Sequence, residues 1–188
     1  DYGTISKGEV KNFGSVTPDF YGGLTNNFKY KNISLRTTIA GQYGGVFYSY
    51  GRGYRMFFGT DQRSLEGRVG GIVIDGINEN TGAPNTVAIP ALNKQFLEIF
   101  SNQIVTNMML DATNVRMKEI VLTYNFPKRM IQNSPIQGLS VSAIGTNLFF
   151  IYNPAGDIDP EAGYGGGTSG TAVELGSLPS TRSYGLNF

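Results

Sequence analysis

The chain has 188 residues and a formal net charge of +1, with 15% charged residues, 12% aromatic residues, 26 glycines and no cysteine, histidine or tryptophan. Without cysteine or histidine there is no disulfide scaffold, no thiolate chemistry, no His–Cys zinc site and no histidine-based acid–base catalysis. The near-neutral charge gives no support to nucleic-acid binding through a positive field.

From the start of the chain, Asp1-Tyr2-Gly3-Thr4 has neither the basic nor the apolar region of a signal peptide, so any residues that exported the protein are expected to lie outside this chain. No apolar run approaches the ~18 residues of a spanning helix, which leaves strands as the only means of crossing a bilayer. Phe20 to Tyr30 alternates: Phe20, Leu24, Phe28 and Tyr30 share one face, while Tyr21, Gly23, Thr25, Asn27 and Lys29 share the other. Lys31-Asn32 allows a turn, after which Ile33, Leu35 and Ile39 alternate with Ser34, Arg36, Thr38 and Gln42. Two strands of roughly ten residues, longer than the ~5–6 typical of soluble sheets, suit a tilted membrane barrel.

Residues 51–111 are punctuated as loop by Gly51-Arg52-Gly53, Gly70-Gly71 and Thr81-Gly82-Ala83-Pro84-Asn85. Within them Ala91, Leu92, Gln95, Phe96, Ile99 and Phe100 fall near a helical period and predict one short helix. A third strand over about 113–126 places Ile120, Leu122, Tyr124 and Phe126 opposite Glu119, Val121, Thr123 and Asn125, and Pro127 stops it. A fourth covers about 138–151. The last, about 179–188, ends on Tyr184-Gly185-Leu186-Asn187-Phe188, alternating to the final ring.

The expected fold class is all-β: five or so long antiparallel strands (about 18–30, 32–48, 113–126, 138–151 and 179–188) forming the C-terminal part of a transmembrane β-barrel. Its expected outer loops are 1–17, 51–111 and 153–176. Counting back from Phe188 at the short-turn end puts the first residues in an outer loop. Five strands cannot close a bacterial barrel, whose smallest members have about eight, so the chain is expected to be one piece of a larger barrel whose exposed edges pair elsewhere.

Several segments resemble a known family in order. Asn114-Val115-Arg116-Met117-Lys118-Glu119-Ile120-Val121-Leu122-Thr123-Tyr124-Asn125-Phe126-Pro127 is similar to the Arg-Leu-(Arg/Lys)-x-hydrophobic-x-Leu-x-Tyr-x-hydrophobic-Pro strand of SusC/RagA-type TonB-dependent transporters. Gly145-Thr146-Asn147-Leu148-Phe149 resembles their Gly-x-Asn-Leu-Phe segment, Asp159-Pro160-Glu161 their Asp-Pro-Glu loop, and Pro179-Ser180-Thr181-Arg182-Ser183-Tyr184 through Phe188 their ending. Arg116, Tyr124, Pro127, Asn147, Leu148, Asp159, Pro160, Glu161, Pro179, Arg182 and Phe188 carry the resemblance. Upstream, Pro18-Asp19-Phe20-Tyr21-Gly22-Gly23-Leu24, Tyr30-Lys31-Asn32-Ile33 and Gly41-Gln42-Tyr43-Gly44-Gly45 follow the same order. Residues 60–110 match loosely, and Arg116-Met117-Lys118 departs mildly from Arg-Leu-Arg.

The resemblance implies a barrel of about 22 strands with a plugged lumen, in the outer membrane of a Bacteroidetes-like Gram-negative bacterium. It implies import of large nutrients, oligosaccharides or peptides, and no enzyme activity or cofactor. The implied partners are the remaining N-terminal barrel and plug, a SusD-like lipoprotein, TonB through the plug, and the bilayer. The plug is not in this chain.

Two other functions stay open at this level: a SusC-like barrel acting as a scaffold subunit of a larger outer-membrane complex, and a soluble carbohydrate-binding β-sandwich. Asp157, Asp159 and Glu161 offer hard oxygens to a cation such as Ca²⁺, although the segment lacks the ligand number and glycine of an EF-hand, and a structural loop is the plainer reading. Paired loop carboxylates could also suggest glycoside hydrolysis, but adjacent acids are common in non-enzymes. Gly165-Gly166-Gly167-Thr168-Ser169-Gly170 satisfies Gly-x-Gly-x-x-Gly without the following helix that a nucleotide site needs. Tyr43, Phe47, Tyr48, Tyr50, Tyr54, Phe57 and Phe58, interleaved with Arg52 and Arg55, read either as an aromatic girdle at a membrane interface with loop packing, or as a surface that stacks on ligands.

Overall fold

The structure, a computed structural model, describes residues 9–96, 106–162 and 173–188. In chain order its elements are β1 (Phe20–Tyr30), β2 (Ile33–Tyr43), β3 (Val46–Ser49), α1 (Tyr50–Phe57), β4 (Ile72–Val73), β5 (Ala88–Ile89), α2 (Ala91–Phe96), β6 (Met109–Asp111), β7 (Asn114–Asn125), α3 (Lys128–Ile131), β8 (Ser140–Tyr152), β9 (Val173–Glu174) and β10 (Ser183–Asn187). They fall into two compact units, one built from Ser15–Val46, Asp111–Ala162 and Leu178–Phe188, the other centred on Phe47–Leu110.

The first unit is one antiparallel sheet in the order β1-β2-β7-β8-β10. Its registers carry side chains of like polarity across the strands. One face holds the rows Tyr30–Ile33–Tyr124, Phe28–Leu35–Leu122–Ala143–Leu186 and Leu24–Ile39–Met117–Phe149. The other holds Thr25–Thr38–Glu119–Thr146–Ser183 and Lys29–Ser34–Thr123–Ser142–Asn187. On this second face Thr25 and Thr38 share a 3.1 Å hydrogen bond, Thr123 and Ser142 one of 2.8 Å, and Arg36 lies 3.5 Å from Glu119. A period of two and a fixed register thus split the sheet into an apolar and a polar side.

The apolar side is not covered as a soluble core would be. Leu24 (61%), Phe28 (60%), Leu122 (50%) and Leu186 (68%) remain widely exposed. Rings flank the band at both ends: Tyr30, Tyr124, Phe126 and Phe188 where the strands are joined by short connections, and Phe20, Tyr43 and Tyr152 where long segments leave the sheet. Tyr124 and Phe126 pack edge to face at 4.9 Å. Between these two belts β1, β2, β7 and β8 each run for about ten residues, while β10, expected from about 179, covers only Ser183–Asn187. At ~3.3 Å per residue and a barrel tilt near 40°, about ten residues span roughly the 25 Å apolar height of an outer-membrane barrel.

The strand read from 32 to about 48 stops at Tyr43 instead. Gly44 and Gly45 have φ of +78° and +84°, a left-handed pair that ends the extended run. β3 then joins a different sheet in the second unit, in the order β6-β3-β9, with β3 and β9 parallel. Phe47, Met108 and Leu110 are buried there. Ser49 ends β3 and caps α1 by accepting the Arg52 N–H at 3.0 Å. The buried Glu174 carboxylate accepts the Ser49 hydroxyl at 2.5 Å and the N–H groups of Gly51 and Ser177 at 3.2 and 3.0 Å, so an anion faces the start of the helix, where the dipole favours it. Asp61 anchors the next loop, with Arg63 Nη2 at 2.6 Å and Arg55 Nη2 at 3.7 Å.

The aromatic run is therefore divided. Tyr43 stays in the sheet's aromatic belt, while Tyr50, Tyr54 and Phe58 stack along α1 and its end, with centroids 6.3 Å apart at each step. The expected helix from Ala91 is present to Phe96; Ile99 and Phe100 lie outside the described residues, as does Gly165–Gly170.

Candidate functional site

On the polar side of the sheet, where the long segments leave it, the motif residues converge on one guanidinium. Arg116 of β7 is 2% exposed and sits between Ala40 of β2 and Phe150 of β8. Its Nη2 donates to Asp159 Oδ1 at 2.6 Å, its Nη1 donates to the Ser180 hydroxyl, and its Cζ lies 3.9 Å from the centre of the Phe150 ring. Glu161 Oε2 lies 3.9 Å from the same guanidinium and accepts a hydrogen bond from Lys118 Nζ.

Asp159 uses both oxygens fully. Oδ1 accepts Arg116 Nη2 and the Glu161 N–H at 2.9 Å; Oδ2 accepts the Ser180 N–H at 3.1 Å and the Ser180 hydroxyl at 2.6 Å. Burial alone would raise its pKa. The hydrogen bonds from Arg116, Ser180 and the Glu161 and Ser180 N–H groups outweigh that and hold it at about 2, below its ordinary 3.8. A carboxyl depressed in the folded state stabilises it fully above the ordinary pKa and loses that effect as pH falls through the folded value. Segment 153–162 is therefore expected to hold its place down to about pH 4 and to loosen between pH 4 and 2, by about 2 kcal/mol. Hydrogen exchange across that range checks this; loosening centred near pH 6 would contradict it.

Two β-bulges place these groups. Thr38 pairs with Glu119 but Ile39 with Met117, so Lys118 is the extra residue of β7, and Arg116 and Glu119 come to share the polar face. Opposite it, Met117 pairs with Phe149 and Glu119 with Thr146, so Asn147 and Leu148 of β8 together face the single Lys118, one residue more than the register needs. Asn147 adopts φ +51°, and Leu148 folds back over Gly145, where an added Cβ would lie 2.8 Å from Leu148 Cδ2. Asn147 Nδ2 also donates to the Thr181 carbonyl at 3.3 Å. The Gly-x-Asn-Leu-Phe pattern is thus a bulge with a left-handed asparagine, a glycine that clears space, and a latch onto the segment entering β10. Asn147→Val is expected to cost about 1–2 kcal/mol, since β-branched residues resist this conformation, while Asn147→Gly costs clearly less. Chemical denaturation of the two variants checks the ranking.

Arg116, Asp159, Glu161, Asn147 and Leu148 thus belong to one construction, with Pro160 buried beside it. Pro179 and Arg182 are exposed, Tyr124 and Phe188 lie on the apolar side at the short-turn end, and Pro127 opens α3. The acidic loop serves cations of the chain itself: Asp159 binds Arg116 and Glu161 binds Lys118. Among the described residues no group of three acidic side chains is placed to hold a metal ion. The sequence does not single out Ser180, Phe150 or Glu174. The one sequence signal for Ser180 is its place as a small hydroxyl between Pro179 and Arg182 of the terminal motif.

A sheet with an apolar, ring-bounded outer side and a polar inner side onto which loops are pinned by buried charge defines a wall segment of an outer-membrane β-barrel. No family model matches the chain. It is 25% identical over 194 aligned residues, 98% of its length, to "TonB-dependent receptor P3" of Formosa agariphila, and 26% identical over 200, again 98% of its length, to "TonB-dependent receptor P26" of the same organism. The chain spans 18% of the length of each. Its fold is similar to part of the RagAB peptide importer in the closed-closed state (TM-score 0.60, 22% identity, 94% of this chain and 17% of that one) and in the open-open state (0.59, 23%, 92% and 17%). Over nearly its whole length the chain is thus similar to a stretch of TonB-dependent receptors, and it shares the fold of part of RagAB.

Proposed function

We propose that this chain forms part of the wall of a TonB-dependent importer of large nutrients, oligosaccharides or peptides. The observation that carries the proposal is the Arg116–Asp159–Ser180 cluster, which pins the segments around 159 and 180 to the polar face of a sheet whose other face suits lipid. In this reading the long-loop end lies outside the cell, where segments 51–111 and 153–176 reach a SusD-like lipoprotein that covers the opening. The short-turn end is periplasmic. The plug and the remaining strands come from other parts of the receptor, and TonB acts through the plug.

The test uses the whole receptor in its host. Deleting its gene is expected to abolish growth on one polymeric nutrient at limiting concentration, with recovery on complementation, and a lipoprotein of the SusD type is expected to copurify. Unchanged growth on every oligosaccharide and peptide source, together with copurification of envelope proteins but no such lipoprotein, would contradict import and favour a scaffold.

A further inference from the structure

Near its long-loop end, the apolar side of the sheet carries an open groove of about 740 Å³, within the roughly 300–1,000 Å³ of small-molecule sites. Its floor is the cross-strand pair Gly22 and Gly41. The rows on either side are large: Phe20 opposite Tyr43 toward the loops, and Leu24 opposite Ile39 toward the middle of the sheet. Tyr152, 54% exposed, closes the flank on β8.

The two glycines are there for different reasons. A Cβ on Gly41 would run into the backbone of Asn114, so close strand packing requires that glycine. Among the described residues Gly22 has no such reason: its φ is not in the left-handed region, and an added Cβ would meet none of their atoms within 4 Å. What Gly22 achieves is to keep the groove open. Asp111, Thr113 and Gln42 provide polar side chains toward the loop end. The groove is thus apolar along its length, polar at one end, level with an aromatic belt, and continuous with the lipid-facing band.

We propose that this groove holds an acyl chain of a bilayer lipid, lying on Gly22 and Gly41 between the rings of Phe20, Tyr43 and Tyr152, with its head group toward Asp111 and Thr113. Such a lipid is retained beyond the exchanging boundary layer because it contacts backbone as well as side chains.

The test uses the whole receptor, extracted from outer membranes in mild detergent, with retained lipid counted by native mass spectrometry. The wild type is expected to keep one lipid per receptor. Gly22→Phe, which fills the groove without touching the backbone, is expected to lower its occupancy at least tenfold, whereas Thr25→Phe on the opposite face keeps it. Equal retention by wild type and Gly22→Phe would overturn the proposal. Should Gly22→Phe fail to assemble, a photo-crosslinking phenylalanine analogue at Tyr43 decides. A lipid adduct supports the site, and its mass separates glycerophospholipid from glycolipid. An adduct only to a neighbouring strand shows the groove filled by protein and rejects the proposal.

Discussion

Asp159→Ala is expected to destabilise the anchored loops by about 3–5 kcal/mol, the usual effect of removing one partner from a buried ion pair. The Arg116 and Asp159 side chains are 3% and 4% exposed, so Arg116 would keep its charge in a site that water barely reaches. The loss would be local. Residues 153–162 and 178–182 should exchange their amide hydrogens faster, while the hydrogen bonds between β2 and β7 stay protected. Ser180 would lose the acceptor for both its N–H and its hydroxyl, which frees the segment entering β10. Replacing both charges, as Arg116→Met with Asp159→Leu, should cost much less than the sum of the single changes, because no unpaired charge remains. Hydrogen exchange on the whole receptor in bilayers, read for all variants, gives the coupling. Strict additivity would show that the pair is not a unit.

Ile120→Arg is the second large effect. Ile120 lies halfway along β7 on the apolar side, paired with Thr37 and Gly145. An arginine there would meet hydrocarbon near the bilayer centre, at about 2–4 kcal/mol. Thr123→Arg points to the polar side and is expected to change stability by less than about 1 kcal/mol. Unfolding of the receptor from bilayers in guanidinium, with heat-modifiable mobility as a second readout, separates the two. Equal costs would mean that the two faces do not see different solvents.

The strands were legible because each face of the sheet meets one solvent. Leu24, Phe28, Ile33, Leu35 and Ile39 alternate with polar residues at a period that neither helix nor loop reproduces, and cross-strand pairing turns that alternation into two faces. The interruptions were less legible. Lys118 and Asn147-Leu148 look like ordinary strand positions, and only the register shows that they are bulges bringing Arg116 to the same face as Glu119. The expected run of β2 to about 48 rests on Val46–Tyr50, which continue an apolar and aromatic pattern, whereas the left-handed Gly44-Gly45 pair ends the strand at Tyr43. Ser49, which caps α1, has the right chemistry for a cap but falls at the end of that apolar and aromatic pattern.

At the site, the motifs identified the members but not their geometry. Arg116 and Asp159 stand 43 residues apart, and Ser180 is 21 beyond Asp159. No periodicity connects them, so the pairing of Asp159 with Arg116 is a tertiary fact. In the sequence the acidic run reads more plainly as a structural loop than as a cation site, and both oxygens of Asp159 are taken by Arg116, Ser180 and the Glu161 N–H.

The claim that one face of this sheet lies against lipid is tested most directly by single-cysteine scanning along β7, in a segment that has no cysteine of its own. Each position from 119 to 124 in the whole receptor is labelled in native membranes, once with a membrane-restricted maleimide and once with a charged, water-soluble one. Cysteines at Ile120, Leu122 and Tyr124 are expected to react from the lipid phase, and those at Glu119, Val121 and Thr123 from water or not at all. Labelling with no period of two, or preferential aqueous labelling of Ile120 and Leu122, would contradict the account.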